Sequence, residues 1–354
     1  MANLYDRGLS PVFIDSKMED YFSVQLHLTS FCDLKCKHCY MYDESFSGID
    51  SDWAQLCLFF KKLEQKCQKE KKRCFIGLTG GDPILSKNFW KAINYLNEHK
   101  QYFDYVIMGN SFHINKETAL MLKDRGVKAY QLSLDGLEKT HDLNRKEGTF
   151  KDVIRCLGTL HEVGITTCVM FTVSKTNYQD FIPLMHYLDK LGTVDVISFD
   201  KMIMEGNAKV REDVLSSEEY RDFLYSVLLE LVTNDFRLKF SFKDNMWKLL
   251  FCELGLVNPY IDENNVIAGC LVCSEMITVL PDGTIQSCRR MNDEIGNIDT
   301  LDDFTGIKKT VYQHRNNYQK CNECDLWAFC RGCLAARKIQ DNQIVLEDPY
   351  CWKE

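Results

Sequence analysis

Residues 24–40 read VQLHLTSFCDLKCKHCY. The first five of these residues form a strand-like run, and the loop that follows carries Cys32, Cys36 and Cys39, separated by three and two residues. Charged residues occupy the gaps, so this spacing does not describe the apolar face of a helix or a strand. Three thiolates can hold three irons of a [4Fe–4S] cluster and leave the fourth iron open to a ligand. The stretch therefore predicts a catalytic cluster in a loop directly after a strand.

Strand-like and helical segments alternate from about residue 23 to residue 200. The predicted strands are Val24–Leu28, Phe75–Thr79, Tyr105–Met108, Ala129–Leu134, Thr167–Val173 and Asp195–Phe199. The predicted helices are Trp53–Cys67, Phe89–Asn97, Lys116–Lys123, Lys151–Val163 and Tyr178–Leu188. This alternation predicts an α/β fold with a parallel sheet, either doubly wound or closed into a barrel. Active sites of such sheets lie at the carboxyl ends of the strands, where the cysteine loop stands.

The last third of the chain has a different pattern. The capping-box spacing of Ser216 and Glu219 predicts a helix over residues 216–232. After residue 257 the sequence breaks into turns, cysteines and short strand-like runs, two of which flank the Pro-Asp-Gly turn at 281–283. We predict four parts: an N-terminal extension over 1–22, the alternating domain over 23–232, a bridging region over 233–258 and a small cysteine-rich domain over 259–354.

Composition limits the classes to which the protein can belong. Its 354 residues, 45% hydrophobic and 27% charged, have the composition of a soluble globular protein. The net charge of −8 argues against a nucleic-acid partner, and no run approaches the ~20 apolar residues of a membrane span. Charged residues interrupt the first 20 positions, so we expect no export signal and a cytoplasmic location.

The chain has 17 cysteines. In a reducing cytosol thiols this numerous bind metal more readily than they form disulfides. Five of them stand alone in their segments and are interpreted as small buried hydrophobic residues: Cys57, Cys67, Cys74, Cys156 and Cys168. The clustered cysteines are the candidates for metal ligands.

Two further motifs follow strands of the alternating region. Residues 78–83 read LTGGDP, and residues 131–136 read QLSLDG, with Asp142 and Arg145 shortly after. Together with the cysteine loop, they resemble the CxxxCxxC, GGEP and SLDG…D..R motifs of the radical S-adenosylmethionine (SAM) superfamily, with Asp82 in place of the usual glutamate. The resemblance implies that residues 23–232 form a partial (β/α)6 TIM-type barrel.

The same resemblance implies roles for individual residues. Cys32, Cys36 and Cys39 would hold the SAM-binding [4Fe–4S] cluster. The glycines of the second motif would let the backbone approach SAM closely, and a guanidinium would suit its carboxylate. The residues so assigned are Gly80, Gly81, Asp82 and Pro83 for the amino group; Ser133 and Asp135 for the ribose; Arg145 for the carboxylate; and His38 as a shield over the cluster or the adenine.

The cysteines after residue 259 resemble the seven-cysteine signature of the SPASM domain, with Cys273 as an eighth. Resemblance to anaerobic sulfatase-maturating enzymes assigns them to two auxiliary [4Fe–4S] clusters: Cys270, Cys273, Cys288 and Cys333 to the first, and Cys321, Cys324, Cys330 and Cys351 to the second. Eight thiols are the number that two fully ligated clusters need. Taken alone, the spacing from Cys321 to Cys333 also suits a tetrahedral zinc site.

The resemblance implies an oxidoreductase-type enzyme that cleaves SAM reductively and removes hydrogen from a substrate through a 5′-deoxyadenosyl radical. We expect the substrate to be a ribosomally made peptide that receives a crosslink or another modification. The expected electron donor is a protein such as flavodoxin or ferredoxin. About 22 residues before the first strand are too few for a leader-recognition domain, so we expect either a separate leader-binding protein or the surface of this protein to bind the leader. Arg289, Arg290 and the aromatic segment 236–247 are candidates for leader contacts, although a packed bridging helix is the simpler interpretation of that segment.

Other functions remain open. Sulfatase-type formylglycine maturases place an aspartate base directly after the third auxiliary cysteine, where this chain has Arg289 after Cys288. A peptide epimerase would need a hydrogen-atom donor, for which Cys252 is a candidate, although a buried bystander is the favoured interpretation. A non-enzymatic alternative is an iron–sulfur electron carrier or a zinc-binding interaction protein, neither of which needs the motifs at 78–83 and 131–136.

Overall fold

The computed structural model describes residues 21–41, 48–210, 213–256, 276–301, 321, 323–326, 330, 332–336 and 348–353. The predicted N-terminal extension lies almost wholly outside these residues, as do Cys270 and Cys273, two of the ligands predicted for the first auxiliary cluster.

The described strands form one sheet. Seven parallel strands follow one another in chain order: β1 (Tyr21–His27), β2 (Arg73–Thr79), β3 (Phe103–Met108), β4 (Ala129–Ser133), β5 (Thr166–Val173), β6 (Val196–Lys201) and β7 (Lys239–Ser241). Next to β1 the sheet continues through β8 (Met276–Val279), which is parallel to β1. The antiparallel strands β9 (Thr284–Gln286) and β10 (Gly296–Asn297) then complete it.

Helices connect the parallel strands, as parallel pairing requires. They are α1 (Trp53–Glu70), α2 (Phe89–Glu98), α3 (Lys116–Asp124), α4 (Glu138–Asn144), α5 (Thr149–Glu162), α6 (Phe181–Leu191) and α7 (Ser217–Thr233), with α8 (Met246–Glu253) after β7. The predicted capping box of α7 is present, with Ser216 Oγ accepting from Glu219 N and Glu219 Oε2 accepting from Ser216 N. None of the described helices is long and apolar enough to span a bilayer.

Side-chain alternation gives the sheet an apolar outer face and a polar inner face. In β1, Val24 and Leu26 belong to the core under the helices, whereas Gln25 Nε2 lies 3.8 Å from Met108 Sδ of β3 on the opposite face. We call that inner face the lumen. His27 shares it, because residues two apart on a strand point to the same side.

One ion pair shows that the sheet curls into a partial barrel. Arg290 follows β9, and its Nη2 lies 2.8 Å from Oδ2 of Asp200 on β6, although β8 and β1 to β5 stand between those strands in the sheet. The predicted partial TIM-type barrel is therefore confirmed.

The six predicted strands and the five predicted helices of the alternating region all exist, with ends within three residues of the predicted ones. The interpretation of segment 236–247 as a bridging helix is wrong, because most of it is strand β7 and the turn after it, and α8 starts only at Met246. A three-residue strand is too short to show the alternation that identifies strands in a sequence.

The core runs continuously beyond the predicted bridging region. Trp247 of α8 and Ile277 of β8 belong to the same buried cluster as the barrel strands, and so do Leu326 and Tyr350 from the cysteine-rich part. The division into domains at 233–258 stays a prediction, since the sheet and the core cross it without a break.

Candidate active site

The cysteine loop lies at the carboxyl end of β1 and is held by backbone contacts on two sides. Lys37 N donates to the carbonyl of Asn144 at the end of α4, at 2.9 Å. On the other side, Asn207 holds two carbonyls of the loop: its Nδ2 donates to Cys36 O at 3.0 Å, and its backbone N donates to Cys39 O at 2.9 Å. The loop is therefore fixed between the elements that follow β4 and β6.

Nitrogen donors lie beside the sulfur atoms of Cys32 and Cys36. Asn110 Nδ2 lies 3.3 Å from Cys32 Sγ, and Arg145 Nη1 lies 3.6 Å from Cys36 Sγ. Burial raises the pKa of Cys32 to about 11, and burial also raises the pKa of Cys36. The thiols therefore need a bound cation to become thiolates, and binding of a metal would release their protons.

The Gly-Gly-Asp segment after β2 packs directly against the cysteine loop. Gly81 N donates to Thr29 O at 2.8 Å, and Asp82 N donates to Phe31 O at 2.7 Å. A Cβ atom at Gly81 would overlap the carbonyl of Phe31. The close approach that these glycines permit is thus made to the backbone leading into the cysteines, a role that the sequence did not suggest.

Asp82 carries an unusual carboxylate. Its side chain is fully buried, and Oδ1 accepts from Asn110 N at 3.3 Å, whereas Oδ2 has no hydrogen-bond partner among the described residues. Burial raises the pKa of Asp82 to about 6. His113 and Asp33, whose Nε2 and Oδ2 are 2.5 Å apart, lie close enough to form one group with Asp82. An ammonium group placed against Oδ2 would satisfy the orphaned oxygen.

Asp135 binds the two basic side chains of the site, Arg145 and His38. Its Oδ2 lies 2.5 Å from Arg145 Nε and 3.2 Å from His38 Nε2, and its Oδ1 accepts from Thr172 N at 2.9 Å. Burial alone would raise the pKa of this carboxyl, but Arg145 and His38 hold it well below its usual range.

Both oxygens of Asp135 are thus taken by protein donors, and the side chain has no exposed surface. The contacts differ from those of the predicted ribose ligand, because in this structure Asp135 holds Arg145 and His38 in place. Arg145 in turn points at the cysteine loop, with Nη1 at Cys36.

Ser133 lies at the end of β4 beside a cleft of about 250 Å³. Its hydroxyl makes no hydrogen bond with any described residue. The cleft is bounded by the cysteine loop, the ends of β3 and β4, and helices α4 and α5; its lining includes Leu34, Asn110, Ser133, His141 and Arg145.

The sequence profile of the Radical SAM superfamily matches residues 26–188. This range includes the three cysteines of the loop, Asp82, Asp135 and Arg145. The chain contains a radical SAM domain. It is therefore an enzyme that uses SAM and an iron–sulfur cluster.

Two relatives and one solved structure show the extent of the similarity. AdoMet-dependent heme synthase of Nitratidesulfovibrio vulgaris is 23% identical over 340 residues, 92% of this chain and 90% of the relative. Mycofactocin maturase MftC of Mycolicibacterium smegmatis is 24% identical over 343 residues, 92% of this chain and 81% of the relative. Streptococcus suis SuiB bound to its precursor peptide SuiA superimposes with a TM-score of 0.74 at 17% identity, over 94% of this chain and 76% of SuiB.

In this radical SAM enzyme, four cysteines of the C-terminal part surround a second cavity, of about 360 Å³. They are Cys321, Cys324, Cys330 and Cys351, the four that the sequence grouped as the second auxiliary set. Cys333, which the zinc alternative would require, does not line this cavity. Beside Cys351, Tyr350 donates its hydroxyl to Met202 O at 2.9 Å and so ties the C-terminus to the end of β6.

The other C-terminal cysteines occupy different positions. Cys288 and Cys333 are both buried and both pack against Met291, while their predicted co-ligands Cys270 and Cys273 lie outside the described residues. Cys252 lies on α8 against the main core, and it does not line the cavity at Cys351.

Sequence reasoning missed three polar residues that shape the site of this radical SAM enzyme. Asn110 directly follows β3, so the rule that sites lie at strand ends could have identified it. Asn207 follows β6 and Lys243 follows β7. Asn207 contacts the cysteine loop and Lys243 pairs with Asp200, and both contacts depend on the curl of the sheet, which no local pattern encodes.

Proposed function

We propose that Cys32, Cys36 and Cys39 hold a [4Fe–4S] cluster whose fourth iron binds SAM. A cluster and SAM bound there would supply the one-electron reductive cleavage of the sulfonium C–S bond, which gives methionine and a hydrogen-abstracting 5′-deoxyadenosyl radical. The protein would bind and orient SAM and the substrate, and it would exclude water from the site.

The observation that carries this proposal is the unpartnered oxygen of Asp82. A buried carboxylate oxygen without a donor is costly, and here it lies beside the loop of three thiols. The ammonium group of SAM would supply the missing donor. Asp82 would thus take the place of the usual glutamate, and the shorter side chain would bring the amino group closer to β2.

Arg145 would bind the carboxylate of SAM from the opposite side. A guanidinium offers a planar pair of donors, and the bond from Nε to Asp135 leaves the Nη groups directed to Cys36 and His38. Asp135 acts as a positioning residue for Arg145, and Ser133, at the cleft, is the residue placed to bind the ribose. His38 would cover the cluster from the side of Asp135.

We assign the eight C-terminal cysteines to two auxiliary clusters. For the second cluster, the convergence of four thiols around one cavity supports the assignment. For the first, the buried positions of Cys288 and Cys333 around Met291 support it, and Cys270 and Cys273 complete the set.

The substrate that we propose is a ribosomally made peptide. Mycofactocin maturase MftC and the sporulation killing factor maturation protein SkfB of Bacillus subtilis are relatives, and the similar fold of SuiB was solved with its precursor peptide. The radical would attack a residue of the peptide in the lumen. A flavodoxin or ferredoxin would supply the electron, and a separate protein would bind the leader.

A second candidate is a tetrapyrrole substrate, because two AdoMet-dependent heme synthases match over 92% of the chain. A formylglycine maturase has less support, since Arg289 replaces the aspartate base. An epimerase would need Cys252 at the substrate, whereas Cys252 lies on α8 against the outer core.

Co-expression with short peptides encoded beside the gene tests the substrate class. Mass spectrometry should show a loss of two hydrogens for a crosslink, or an unchanged mass with altered stereochemistry for an epimerisation. Unmodified peptides from cells in which the protein carries its full iron, together with conversion of an iron coproporphyrin by the same protein, would favour the tetrapyrrole candidate.

A further inference from the structure

Three cations lie near one another in the lumen, beside the cysteine loop. Arg289 and Arg290 follow β9, and Lys243 follows β7. Of the described carboxylates, Asp200 pairs with two of these cations: Arg290 Nη2 lies 2.8 Å from its Oδ2, and Lys243 Nζ lies 3.7 Å from the same atom. Two of the three cations therefore share one carboxylate.

Arg289 is the cation without a partner in the described part of the chain. Its guanidinium lies 5.7 Å from the ring centroid of Tyr40, the residue after Cys39, and no described carboxylate pairs with it. The side chain is half-buried, so water does not fully replace the missing anion. The guanidinium is held beside the cysteine loop and brings several N–H donors to that place.

The positive charge of Arg289 contributes to the pKa shifts of two neighbouring groups. Burial lowers the pKa of Lys243 to about 8, and the charge of Arg289 adds to the effect. Burial lowers the pKa of His27 to about 3, again with a contribution from Arg289. His27 is fully buried on the lumen face of β1, and neither of its ring nitrogens has a hydrogen-bond partner among the described residues.

We propose that Arg289 and Lys243 bind a carboxylate of the substrate in the lumen beside Tyr40. The inference rests on the proposed function and names its substrate class: a molecule with an acidic group, held next to the cysteine loop where hydrogen abstraction occurs. An anion at this place would neutralise the excess charge, and the neutral ring of His27 offers it a further hydrogen bond. Arg289 directly follows Cys288, where sulfatase maturases have an aspartate base. In this chain the residue at that position would bind the substrate through its positive charge.

A role of Arg289 as counter-charge to an auxiliary cluster predicts different behaviour. Arg290 fits that role, because it lies near Cys288 and Cys333 and has its own partner in Asp200. Arg289 contacts the ring of Tyr40 on the cysteine loop. Replacing Arg289 should therefore leave the iron content and the cluster spectra unchanged.

The test uses the anaerobically reconstituted protein with SAM. The probes are N-acetyl-L-glutamate α-methylamide, its neutral glutamine counterpart and iron coproporphyrin III, whose propionates offer the same chemistry from a tetrapyrrole. Binding is measured by NMR titration for the amino-acid probes and by absorbance for the porphyrin. The variants are Arg289→Gln, Arg289→Lys and, as the matched control, Arg221→Gln on the surface of α7, where Arg221 pairs with Glu253.

We expect the wild-type protein to bind the glutamate probe or the porphyrin at least about tenfold more tightly than the glutamine probe. Arg289→Gln should abolish that preference, Arg289→Lys should keep part of it, and Arg221→Gln should keep all of it. The acidic probe that shows the Arg289-dependent preference identifies the source of the carboxylate.

Equal binding of acidic and neutral probes would overturn the inference, as would an Arg289→Gln protein with an unchanged preference or with altered iron content. Formation of 5′-deoxyadenosine from SAM, measured on the same samples, separates the two levels. SAM cleavage without carboxylate preference refutes this inference alone, whereas loss of cleavage in iron-loaded wild-type protein refutes the proposed function.

Discussion

Arg145 Nε lies 2.5 Å from Asp135 Oδ2, and the same guanidinium reaches to within 3.6 Å of Cys36 Sγ. The pair connects the end of β4 to the cysteine loop through a carboxylate with no exposed surface. Because burial of a charge is costly without a partner, each member of the pair fixes the other. The orientation of the guanidinium toward the thiols is therefore built into the fold before any cofactor binds.

Replacing Asp135 by Asn should destabilise the protein. The change leaves the buried Arg145 without its counter-charge, and breaking a buried pair in this way costs about 3 kcal/mol or more. We expect the free energy of unfolding, measured by urea denaturation, to fall by that amount. Arg221→Gln, which breaks a pair on the surface, should cause a much smaller loss. An Asp135→Asn protein as stable as the wild type would contradict the assigned role of the pair.

Asp82 should make the stability of the cofactor-free protein depend on pH. Its pKa is about 6 in the folded protein and has a usual value of 3.8, so the folded state holds a proton that the unfolded state has lost between those values. Stability therefore falls as the pH rises from about 4 to 6, and the ionised carboxylate costs about 3 kcal/mol at pH 7.

Asp82→Asn should remove this cost. We expect the variant to be more stable than the wild type at pH 7.5, by up to about 3 kcal/mol, and close to it at pH 3.8, while its affinity for SAM falls. A variant that is less stable than the wild type at both pH values would show that Oδ2 has a protein partner.

Gly81→Ala and Gly158→Ala provide a matched test of the contact between β2 and the cysteine loop. At Gly81 the new methyl group would collide with the backbone carbonyl of Phe31, whereas at Gly158, inside α5, it meets nothing within 4 Å. Gly158→Ala should stabilise the protein by about 1 kcal/mol through helix propensity. Gly81→Ala should lower both stability and the iron bound by the loop, and a Gly81→Ala protein that retains both would contradict the observed packing.

Cys351→Ala and Cys324→Ala should each remove the whole second auxiliary cluster. Since both cysteines line the cavity of about 360 Å³, each single variant and the double variant should lose the same four irons, measured by iron analysis after reconstitution. Additive losses would place the two cysteines in different sites. A loss of zinc in place of iron would favour the zinc alternative.

The sequence contained most of the information on which the fold rests. Each strand of the alternating region carried enough apolar residues to be recognised, and each motif stood directly after a strand, which placed it at the carboxyl edge of the sheet. The short strand β7 was not predicted, because three residues are too few to show the alternation of a strand. The hydrogen bond from Asn207 to Cys36 could not be predicted either, since it joins residues 171 positions apart.

The contacts of individual site residues were harder to predict than their location at the carboxyl edge of the sheet. Asp135 and Arg145 are both predicted to contact SAM, which stays a prediction, and the structure adds that they bind each other, because two charges that the fold buries side by side must pair. The contact of Gly80 and Gly81 with SAM stays a prediction, and the structure shows that both glycines also pack against the backbone leading into the cysteine loop. Local sequence shows which chemical groups reach the sheet edge, whereas the partner of each group depends on the curl of the sheet.

The most direct measurement is the formation of 5′-deoxyadenosine from SAM by the protein reconstituted anaerobically with iron and sulfide and reduced with dithionite. We predict cleavage by the wild-type protein and none by a Cys32, Cys36 and Cys39 triple alanine variant that still retains the iron of its auxiliary clusters. A wild-type protein that carries its full complement of iron and yields no 5′-deoxyadenosine would contradict the assignment of the site.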